Sequence, residues 1–336
     1  MQLIINQQPC DFARDKVDVP TLLASRGVRE DAVALAVNGR VIPRRKWPEV
    51  VLADGDQVDL VKVVAGGAAS DDFAGSDPLV IAGKLFSSRL FMGTGRFQSP
   101  ALLQAALEAS GTEMVTVAIR MTGVDGSGPD AGILSALDRS RYQLLPNTAG
   151  ATSVRQAVFM AELAREALDN NWVKLEVIGD ERTLWPDVAG TVEATRILVD
   201  EGFVVLPYTT TDLVTALRLE QAGAATVMPL GSMIGSGQGV QDWDGVRRIA
   251  SRLSVPVVVD AGIGAPSDAV RAMEAGAAAC LINTAISRSD DPPMMATAMR
   301  QAVIAGRLGY RAGRMPTSDY AIPSSPMSGL VGAATS

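Results

Sequence analysis

A single residue, Leu175, separates Lys174 from Glu176 in an apolar segment that runs from Trp172 to Ile178. Because side chains alternate along a β-strand, a strand here places both polar groups on one face and the apolar side chains on the other. A buried amine has its charged form disfavoured, and a neutral amine attacks carbonyl carbons. The pair predicts imine (Schiff-base) chemistry with Glu176 moving protons. The alternative is an edge-strand lysine that reaches solvent while paired with Glu176.

The residue types that the chain lacks narrow this chemistry. It contains no histidine, which excludes Ser-His-Asp and Cys-His nucleophile systems and histidine-ligated zinc. Its two cysteines, Cys10 and Cys280, are too few for a cysteine zinc site, so no metal is expected. Only five of the 30 basic residues are lysines, and Lys174 is the single lysine after Lys84. Lys174 is therefore the predicted nucleophile.

Two glycine-containing segments later in the chain predict phosphate binding. Ala261 to Gly264 follows an apolar run as a turn, and Asn283 and Thr284 follow the next run. Free backbone N–H groups in such turns hold phosphate, although ordinary βα turns have the same composition. Asp260, just before the first turn, is either a general acid-base or a cap of the loop or helix. Gly235 to Gly239 is either a loop that closes on substrate or a plain surface loop.

Eight short apolar runs alternate with amphipathic stretches over residues 78–336, which is the pattern and size of a (β/α)8 TIM-type barrel. The runs are Leu90 to Gly93, Met114 to Ile119, Gln143 to Leu145, Val173 to Ile178, Phe203 to Leu206, Ala225 to Met228, Val255 to Val259 and Ala279 to Ile282. In a barrel, the carboxyl ends of the strands build the active site. The polar strand ends here are Gly93-Thr94-Gly95, Arg120, Asn147-Thr148, Lys174 with Glu176, Tyr208-Thr209, Gly231 to Gly239, Asp260 to Gly264 and Asn283-Thr284. An open doubly wound sheet is the alternative.

The first 67 residues have a different pattern. Two strands, a short helix and two further strands in this length predict a small α+β domain of the β-grasp, ubiquitin-like type. Residues 68–77 are small, acidic and turn-forming, which is typical of a flexible linker. We therefore predict a domain at 1–67, a linker at 68–77 and a barrel at 78–336.

Composition and charge exclude several classes of partner. The chain has 336 residues, a net charge of −7 and 4% aromatic residues, which argues against nucleic acid. A hydrophobic content of 47% and a mean hydropathy of +0.18 indicate a globular protein with a large core. The sequence shows neither a transmembrane run nor a signal peptide, so we expect a cytoplasmic protein that has no membrane partner.

Six ordered segments within residues 78–330 resemble the bacterial thiazole synthase family of thiamin biosynthesis. They are LLPNTAG (144–150), WVKLEVIGD (172–180), VLPYT (205–209), MPLGSMIGSGQG (228–239), VDAGIG (259–264) and NTAI (283–286). Residues 1–67, which end in Gly66-Gly67, resemble the small sulfur-carrier protein of the same pathway. The chain thus resembles a fusion of carrier and synthase.

The resemblance implies a reaction and a set of site residues. The family condenses 1-deoxy-D-xylulose 5-phosphate, dehydroglycine and sulfur from a carrier thiocarboxylate to a thiazole phosphate carboxylate, without a metal or organic cofactor. Lys174 matches the lysine that forms an imine with the sugar ketone, and Glu176 and Asp260 match the carboxylates that transfer protons. The positions that match sugar phosphate contacts are Gly235, Ala261, Gly262, Asn283 and Thr284. An enzyme that adenylates the carrier and a homotetrameric assembly are also implied.

Two departures from the family pattern leave questions open. The family has adjacent arginines after the second strand, whereas this chain has Arg120-Met121, so Met121 receives no role. Gly67 is joined by a peptide bond to Ala68, and an internal carbonyl cannot be adenylated and loaded with sulfur without cleavage. Either the chain is cut after Gly67, or a separate carrier works beside a structural relic, or sulfur arrives by another route. The alternative functions are another Schiff-base barrel lyase or aldolase acting on a sugar phosphate, and a ubiquitin-like interaction module on an inactive barrel.

Overall fold

The computed structural model of the protein describes residues 1–6, 8–12, 16–28, 33–62, 77–118, 137–322 and 324. The chain divides into two compact units, Met1–Asp71 and Asp72–Ser336. The predicted carrier end Gly66-Gly67, most of the predicted linker and the pair Arg120-Met121 lie outside the described residues.

The N-terminal unit is a five-stranded sheet in the order β2-β1-β7-β4-β5 with one helix packed on it. The strands among its described residues are β1 (Gln2–Ile5), β2 (Gln8–Asp11), β3 (Val17–Asp18), β4 (Val33–Val37), β5 (Arg40–Val41), β6 (Val51–Leu52) and β7 (Gln57–Lys62). Helix α1 (Val19–Ser25) begins after Asp18, whose side chain accepts a hydrogen bond from the Thr21 N–H. Leu22 and Leu23 of α1 are fully buried against the sheet. The predicted β-grasp fold is confirmed, and a 3-10 helix at Arg44–Glu49 and the short pair β3 and β6 were not predicted.

The second unit is an eight-stranded parallel sheet that closes on itself. Its strands are β10 (Leu90–Gly93), β11 (Met114–Ala118), β12 (Gln143–Asn147), β13 (Trp172–Leu175), β16 (Val204–Thr209), β17 (Met228–Pro229), β18 (Val258–Asp260) and β19 (Ala279–Ile282). Parallel bridges between Val227 and Val257 and between Leu230 and Asp260 join the two ends of the sheet. The predicted (β/α)8 barrel is confirmed, and each predicted run overlaps one of these strands.

Helices cover the outside of the barrel. They are α2 (Pro100–Ser110), α3 (Val154–Leu168), α4 (Val188–Asp200), α5 (Leu213–Gln221), α6 (Trp243–Arg252), α7 (Pro266–Glu274), α8 (Thr284–Ser287) and α9 (Pro292–Ala312). Six of them begin after a serine or aspartate whose side chain accepts a hydrogen bond from the first helical turn, which fixes each start. These capping residues are Ser99, Ser153, Asp187, Asp212, Asp242 and Asp291. None of the described helices is long and apolar enough to span a bilayer.

Alternation along the strands separates an inner core from an outer one. Leu145, Trp172 and Leu206 pack together inside the barrel, whereas Val173 and Val205 pack outward against α3 and α4. Residues two positions beyond the inner ones, toward the carboxyl ends, therefore point into the mouth of the barrel. This register decides which polar side chains meet at the site.

Two hairpins that the sequence analysis did not predict complete the barrel. The first, β8 (Leu79–Ile81) with β9 (Lys84–Phe86), contributes Leu79, Ile81 and Phe86 to the inner core. The second, β14 (Ile178–Asp180) with β15 (Trp185–Pro186), follows Glu176 directly.

Asp77 anchors the start of the barrel unit. It accepts two hydrogen bonds from the Arg307 guanidinium of α9, at 2.7 and 2.8 Å. Arg89 also forms an ion pair with Asp77 at 2.9 Å, and it donates to the carbonyl of Ala278. These contacts tie the first residues of the unit to its last helix.

Candidate active site

The barrel interior holds one amine between two carboxylates. Lys174 Nζ lies 2.5 Å from Asp260 Oδ2 and 3.4 Å from Glu176 Oε1. All three residues are buried, with 6%, 3% and 4% of their surface exposed for Lys174, Asp260 and Glu176. Lys174 in β13 and Glu176 just after this strand lie on the same face of the chain, as predicted. Asp260 reaches them from β18 across the barrel. The structure thus brings together the three residues that the sequence analysis predicted to be catalytic.

The charges in this triad fix its resting protonation. Burial opposes the charge of Lys174, but the carboxylates of Asp260 and Glu176 outweigh it and raise the pKa of the amine above its ordinary value. Burial also raises the pKa of the Glu176 carboxyl, against the lowering effect of Lys174. The expectation that burial alone makes the amine neutral is therefore wrong. The amine rests as an ammonium and must lose a proton before it attacks a carbonyl, and Glu176 is a neighbouring acceptor.

Thr148 holds the backbone that carries the triad, and the sequence analysis gave it no role. Its hydroxyl donates to the Glu176 carbonyl and accepts from the Glu176 N–H, both at 2.8 Å. Its own N–H donates to the Lys174 carbonyl at 3.2 Å. This double contact continues the β12–β13 pairing one residue past the end of the ladder. The only signal in the sequence was the position of Thr148 at a strand end.

Tyr208 forms the apolar wall beside the amine. Lys174 Nζ lies 5.8 Å from the centre of its fully buried ring, within the range of cation–π attraction. Burial and the nearby carboxylates of Asp260 and Glu176 raise the pKa of the Tyr208 phenol, so it remains a neutral hydroxyl. That hydroxyl donates to the carbonyl of Leu184 at 3.4 Å. Leu184 has a positive φ of 55° in the β14–β15 hairpin.

The predicted phosphate contacts lie at the same end of the barrel, in the loops after β17, β18 and β19. A Cβ placed on Gly235 would lie 3.9 Å from the Thr284 hydroxyl, so these two loops meet. A Cβ on Gly262 would lie 2.0 Å from Ser232 Oγ, and the Gly239 N–H donates to the Gly262 carbonyl at 2.8 Å. The close approach of Ser232 leaves no room for a side chain at Gly262, whereas a Cβ at Gly235 would make only an ordinary contact.

Backbone geometry in these loops suits an anion. Ala261 and Gly262 have φ values of 66° and 76°, and a non-glycine residue such as Ala261 is uncommon in this left-handed region. Within the part of the chain that the structure describes, the N–H groups of Gly235, Gly262 and Thr284 have no hydrogen-bond partner. Free N–H groups that converge on one space form an anion-binding concavity.

The end of the turn after β18 contributes less to this cradle than the sequence analysis predicted. Asp268 accepts hydrogen bonds from the N–H groups of Gly264 and Ala265, each at 3.0 Å. These donors at the start of α7 are therefore occupied by a carboxylate of the same helix. Donors for an anion come instead from Gly262 and from the neighbouring loops.

Asn283 completes the set of predicted contacts. Its side chain packs against the end of β10, where a Cβ on Gly93 would lie 2.8 Å from the Asn283 carboxamide carbon. Its side-chain oxygen is buried without a partner among the described residues. All five residues predicted to contact phosphate thus lie at the barrel mouth, whereas Gly66 and Gly67 lie outside the described residues.

Comparison with known proteins gives the same division of the chain. Residues 80–326 match the family described as "Thiazole biosynthesis protein ThiG", and residues 3–67 match the ThiS family. A thiazole synthase of Methylobacterium sp. is 56% identical over 77% of this chain and 96% of its own length. A thiazole synthase of Paramagnetospirillum magneticum is 43% identical over 98% of this chain and 100% of its own length.

A solved structure is also similar to this chain. In the crystal structure of the Amycolatopsis orientalis BexX/CysO complex, one chain is 35% identical. It aligns over 73% of this chain and 100% of its own length, with a TM-score of 0.67.

Proposed function

The chain belongs to the thiazole synthase (ThiG) family and carries a ThiS-family domain before it, and from this premise we propose its substrates and the roles of its residues. It condenses 1-deoxy-D-xylulose 5-phosphate, dehydroglycine and the sulfur of a carrier thiocarboxylate to a thiazole phosphate carboxylate. The observation that carries the proposal is the buried ion triad, in which Lys174 lies 2.5 Å from Asp260 and 3.4 Å from Glu176.

Lys174 is the nucleophile for the sugar ketone. Its ammonium first transfers a proton to Glu176, whose buried carboxyl has a raised pKa and therefore accepts a proton readily. The neutral amine then adds to the ketone carbon, and loss of water gives a protonated imine. This cation takes the place of the ammonium beside Asp260. Asp260 thus acts as the constant counter-charge, while Glu176 carries the proton.

The imine acts as the electron sink for moving the carbonyl. A carboxylate removes the proton from the carbon next to the imine, and the electron pair forms a carbon–carbon double bond while the C=N pair returns to nitrogen. Return of the proton to the former imine carbon and loss of the hydroxyl proton leave a ketone on the neighbouring carbon. Atoms and electrons balance within the sugar, and the new ketone is the electrophile for sulfur.

The sugar phosphate occupies the loops after β17, β18 and β19. The unpaired N–H groups of Gly235, Gly262 and Thr284 in these loops support this assignment, because a phosphate dianion accepts several hydrogen bonds at once. Ala261 sets the turn that aims these groups, and Asn283 lines the same space. Lys174 lies in the barrel interior, and we place the sugar between the amine and these loops.

One experiment tests the reaction. Borohydride reduces the imine to a stable adduct, so treatment of the protein with 1-deoxy-D-xylulose 5-phosphate and borohydride adds the reduced sugar to the Lys174 peptide. Lys174→Ala abolishes both the adduct and thiazole formation while the thermal unfolding midpoint is retained. An adduct without a thiazole product, given dehydroglycine and a loaded carrier, would instead indicate an aldolase or lyase of the same barrel type. A protein that forms no adduct would be an inactive barrel.

The N-terminal domain is the sulfur carrier in its inactive, fused form. We assign it to residues 1–67, followed by a linker at 68–77 and the synthase at 78–336. Gly67 gains the free carboxylate that an adenylating enzyme requires only when the bond to Ala68 is cut, and the small, polar linker sequence suits a protease. Intact mass of the protein from its native cell tests this. A single uncut 35.1 kDa species in cells that make thiazole would mean that a separate carrier supplies the sulfur.

A homotetramer is the assembly that we propose, and an exposed face on α3 and α4 supports self-association. Phe159 is 55% exposed there and lines a groove with Val158 and Ile197. Arg155 lies three residues before Val158, and Glu162 lies three residues after Phe159, so the two charges flank the apolar pair symmetrically. Two antiparallel copies of α3 therefore place Arg155 of one opposite Glu162 of the other, as a two-fold interface requires.

A further inference from the structure

Asn147 presents an unused carboxamide to the barrel interior. It ends β12, and Leu145, two residues earlier, belongs to the inner core, so alternation points Asn147 inward as well. Its side-chain oxygen is buried and has no hydrogen-bond partner among the described residues. An unpaired buried polar group costs about 1–3 kcal/mol. A buried polar side chain that stays unpaired in a substrate site, despite this cost, is suited to form a hydrogen bond with the substrate.

The register places this carboxamide beside the nucleophile. Asn147 pairs directly with Lys174 across the β12–β13 ladder, and neighbouring strands lie about 4.8 Å apart. On its other side Asn147 pairs with Ala118, whose methyl group leaves space at the mouth of the barrel. Glu176 and Asp260 form ion pairs with the Lys174 amine, whereas the Asn147 side-chain oxygen forms no hydrogen bond among the described residues.

We propose that the Asn147 carboxamide binds the oxygen on the sugar carbon next to the imine and directs the carbonyl shift. This inference rests on the imine chemistry proposed above. That oxygen is a hydroxyl before the shift, which both donates and accepts, and a ketone after it, which only accepts. The nitrogen of a carboxamide can donate to this oxygen in both states, and its oxygen can also accept from the hydroxyl. A carboxylate, which only accepts, pairs with the hydroxyl and not with the ketone.

The position of Asn147 also separates it from the phosphate contacts. Those residues follow β17 to β19, whereas Asn147 is the last residue of β12, the strand next to β13. When the loops hold the phosphate and Lys174 holds the imine carbon, the hydroxyl on the next carbon lies near the strands beside β13. Of these strands, β12 carries Asn147. Asn147 is thus placed to act on the reacting carbon and not on the phosphate.

The test separates imine formation from the carbonyl shift in the full chain. The probe is 1-deoxy-D-xylulose 5-phosphate without a sulfur donor, with borohydride trapping for the imine and exchange of the neighbouring C–H with D2O for the shift. We expect Asn147→Ala to leave the trapped adduct within about threefold of the unaltered protein and to slow exchange about 10- to 100-fold, as for the loss of one or two hydrogen bonds to a reacting group. Asn147→Ser, which keeps a small donor and acceptor, recovers part of the exchange rate.

Thr226→Val is the matched control. The Thr226 hydroxyl is also buried without a partner among the described residues, but it precedes β17, at the end of that strand away from the barrel mouth. This variant should leave adduct and exchange unchanged. If exchange is unchanged in Asn147→Ala, or if adduct and exchange fall in equal proportion, the inference is refuted. If the unaltered protein forms no adduct, the proposed function fails, and the inference fails with it.

Discussion

Replacing each carboxylate of the triad by its amide separates the counter-charge from the proton carrier. Coulomb attraction varies inversely with distance, and Lys174 Nζ lies 2.5 Å from Asp260 and 3.4 Å from Glu176. The attraction to Asp260 is larger by 3.4/2.5, or about 1.4-fold, at equal dielectric. Asp260→Asn should therefore lower the pKa of Lys174 further than Glu176→Gln does. The amine then becomes a nucleophile at lower pH in Asp260→Asn.

The assay is the rate of reductive trapping of 1-deoxy-D-xylulose 5-phosphate as a function of pH. The midpoint of the rising limb should move toward lower pH in both variants and further in Asp260→Asn. Thiazole formation should fall about 10²- to 10⁴-fold in Glu176→Gln, the usual effect of removing a general acid-base. Asp180→Asn removes an exposed carboxylate from the hairpin that follows Glu176, and it should leave the midpoint in place.

The result that refutes this reasoning is specific. Equal movement of the two midpoints, or a larger movement in Glu176→Gln, would mean that Asp260 is not the main counter-charge of the amine. A rise of either midpoint would mean that the carboxylates do not hold the ammonium at all.

Three further perturbations follow from the same structure. Gly262→Ala should raise the KM for the sugar phosphate at least about tenfold, because the added Cβ would lie 2.0 Å from Ser232 Oγ. Gly235→Ala should have a smaller effect, because a Cβ there has room although the φ is 73°. Equal KM values for the two variants would contradict the assignment of these loops to the phosphate. Asp77→Asn should lower the free energy of unfolding of the barrel unit by about 2–3 kcal/mol at neutral pH. Hydrogen bonding to Arg307 holds the pKa of the Asp77 carboxyl below its ordinary value of 3.8. The difference in free energy of unfolding between Asp77→Asn and the unaltered protein, measured in urea, should therefore vanish as the pH falls through this lowered pKa. A difference that persists in acid would contradict the role of the Asp77 carboxylate. Phe159→Glu should reduce the mass of the assembly in light scattering, and an unchanged mass would exclude the α3 face from the interface.

The sequence was sufficient for those parts of the fold that depend on local pattern. Eight apolar runs of strand length predict eight strands. A strand of a parallel barrel is buried on both faces, inward in the barrel core and outward against the helices, so its residues are apolar almost throughout. Alternation alone placed Lys174 and Glu176 on one face. The two hairpins were missed because their strands have only two or three residues, which is too short for a period to be read.

Contacts between distant strands could not be predicted from spacing. Asp260 lies 86 residues after Lys174 (260 minus 174), and only closure of the sheet brings β13 and β18 to opposite sides of one interior. Burial predicted a neutral amine because the second carboxylate was not yet known to face it. The cap that Asp268 forms on Gly264 and Ala265 was hidden for the same reason, since an aspartate early in a helix is equally typical of a ligand site and of a helix start.

The absence of histidine explains why the site holds two carboxylates for one amine. A single imidazole titrates near neutral pH and accepts and returns a proton without help. An ordinary carboxylate beside a lysine is too acidic to take its proton, and once protonated it no longer holds a cation. Two carboxylates in different surroundings divide these tasks. Burial raises the pKa of Glu176 so that it accepts the proton, while Asp260, 2.5 Å from the amine, faces first the ammonium and then the imine. Neither carboxylate alone performs both tasks, so we expect the loss of either one to affect a different step.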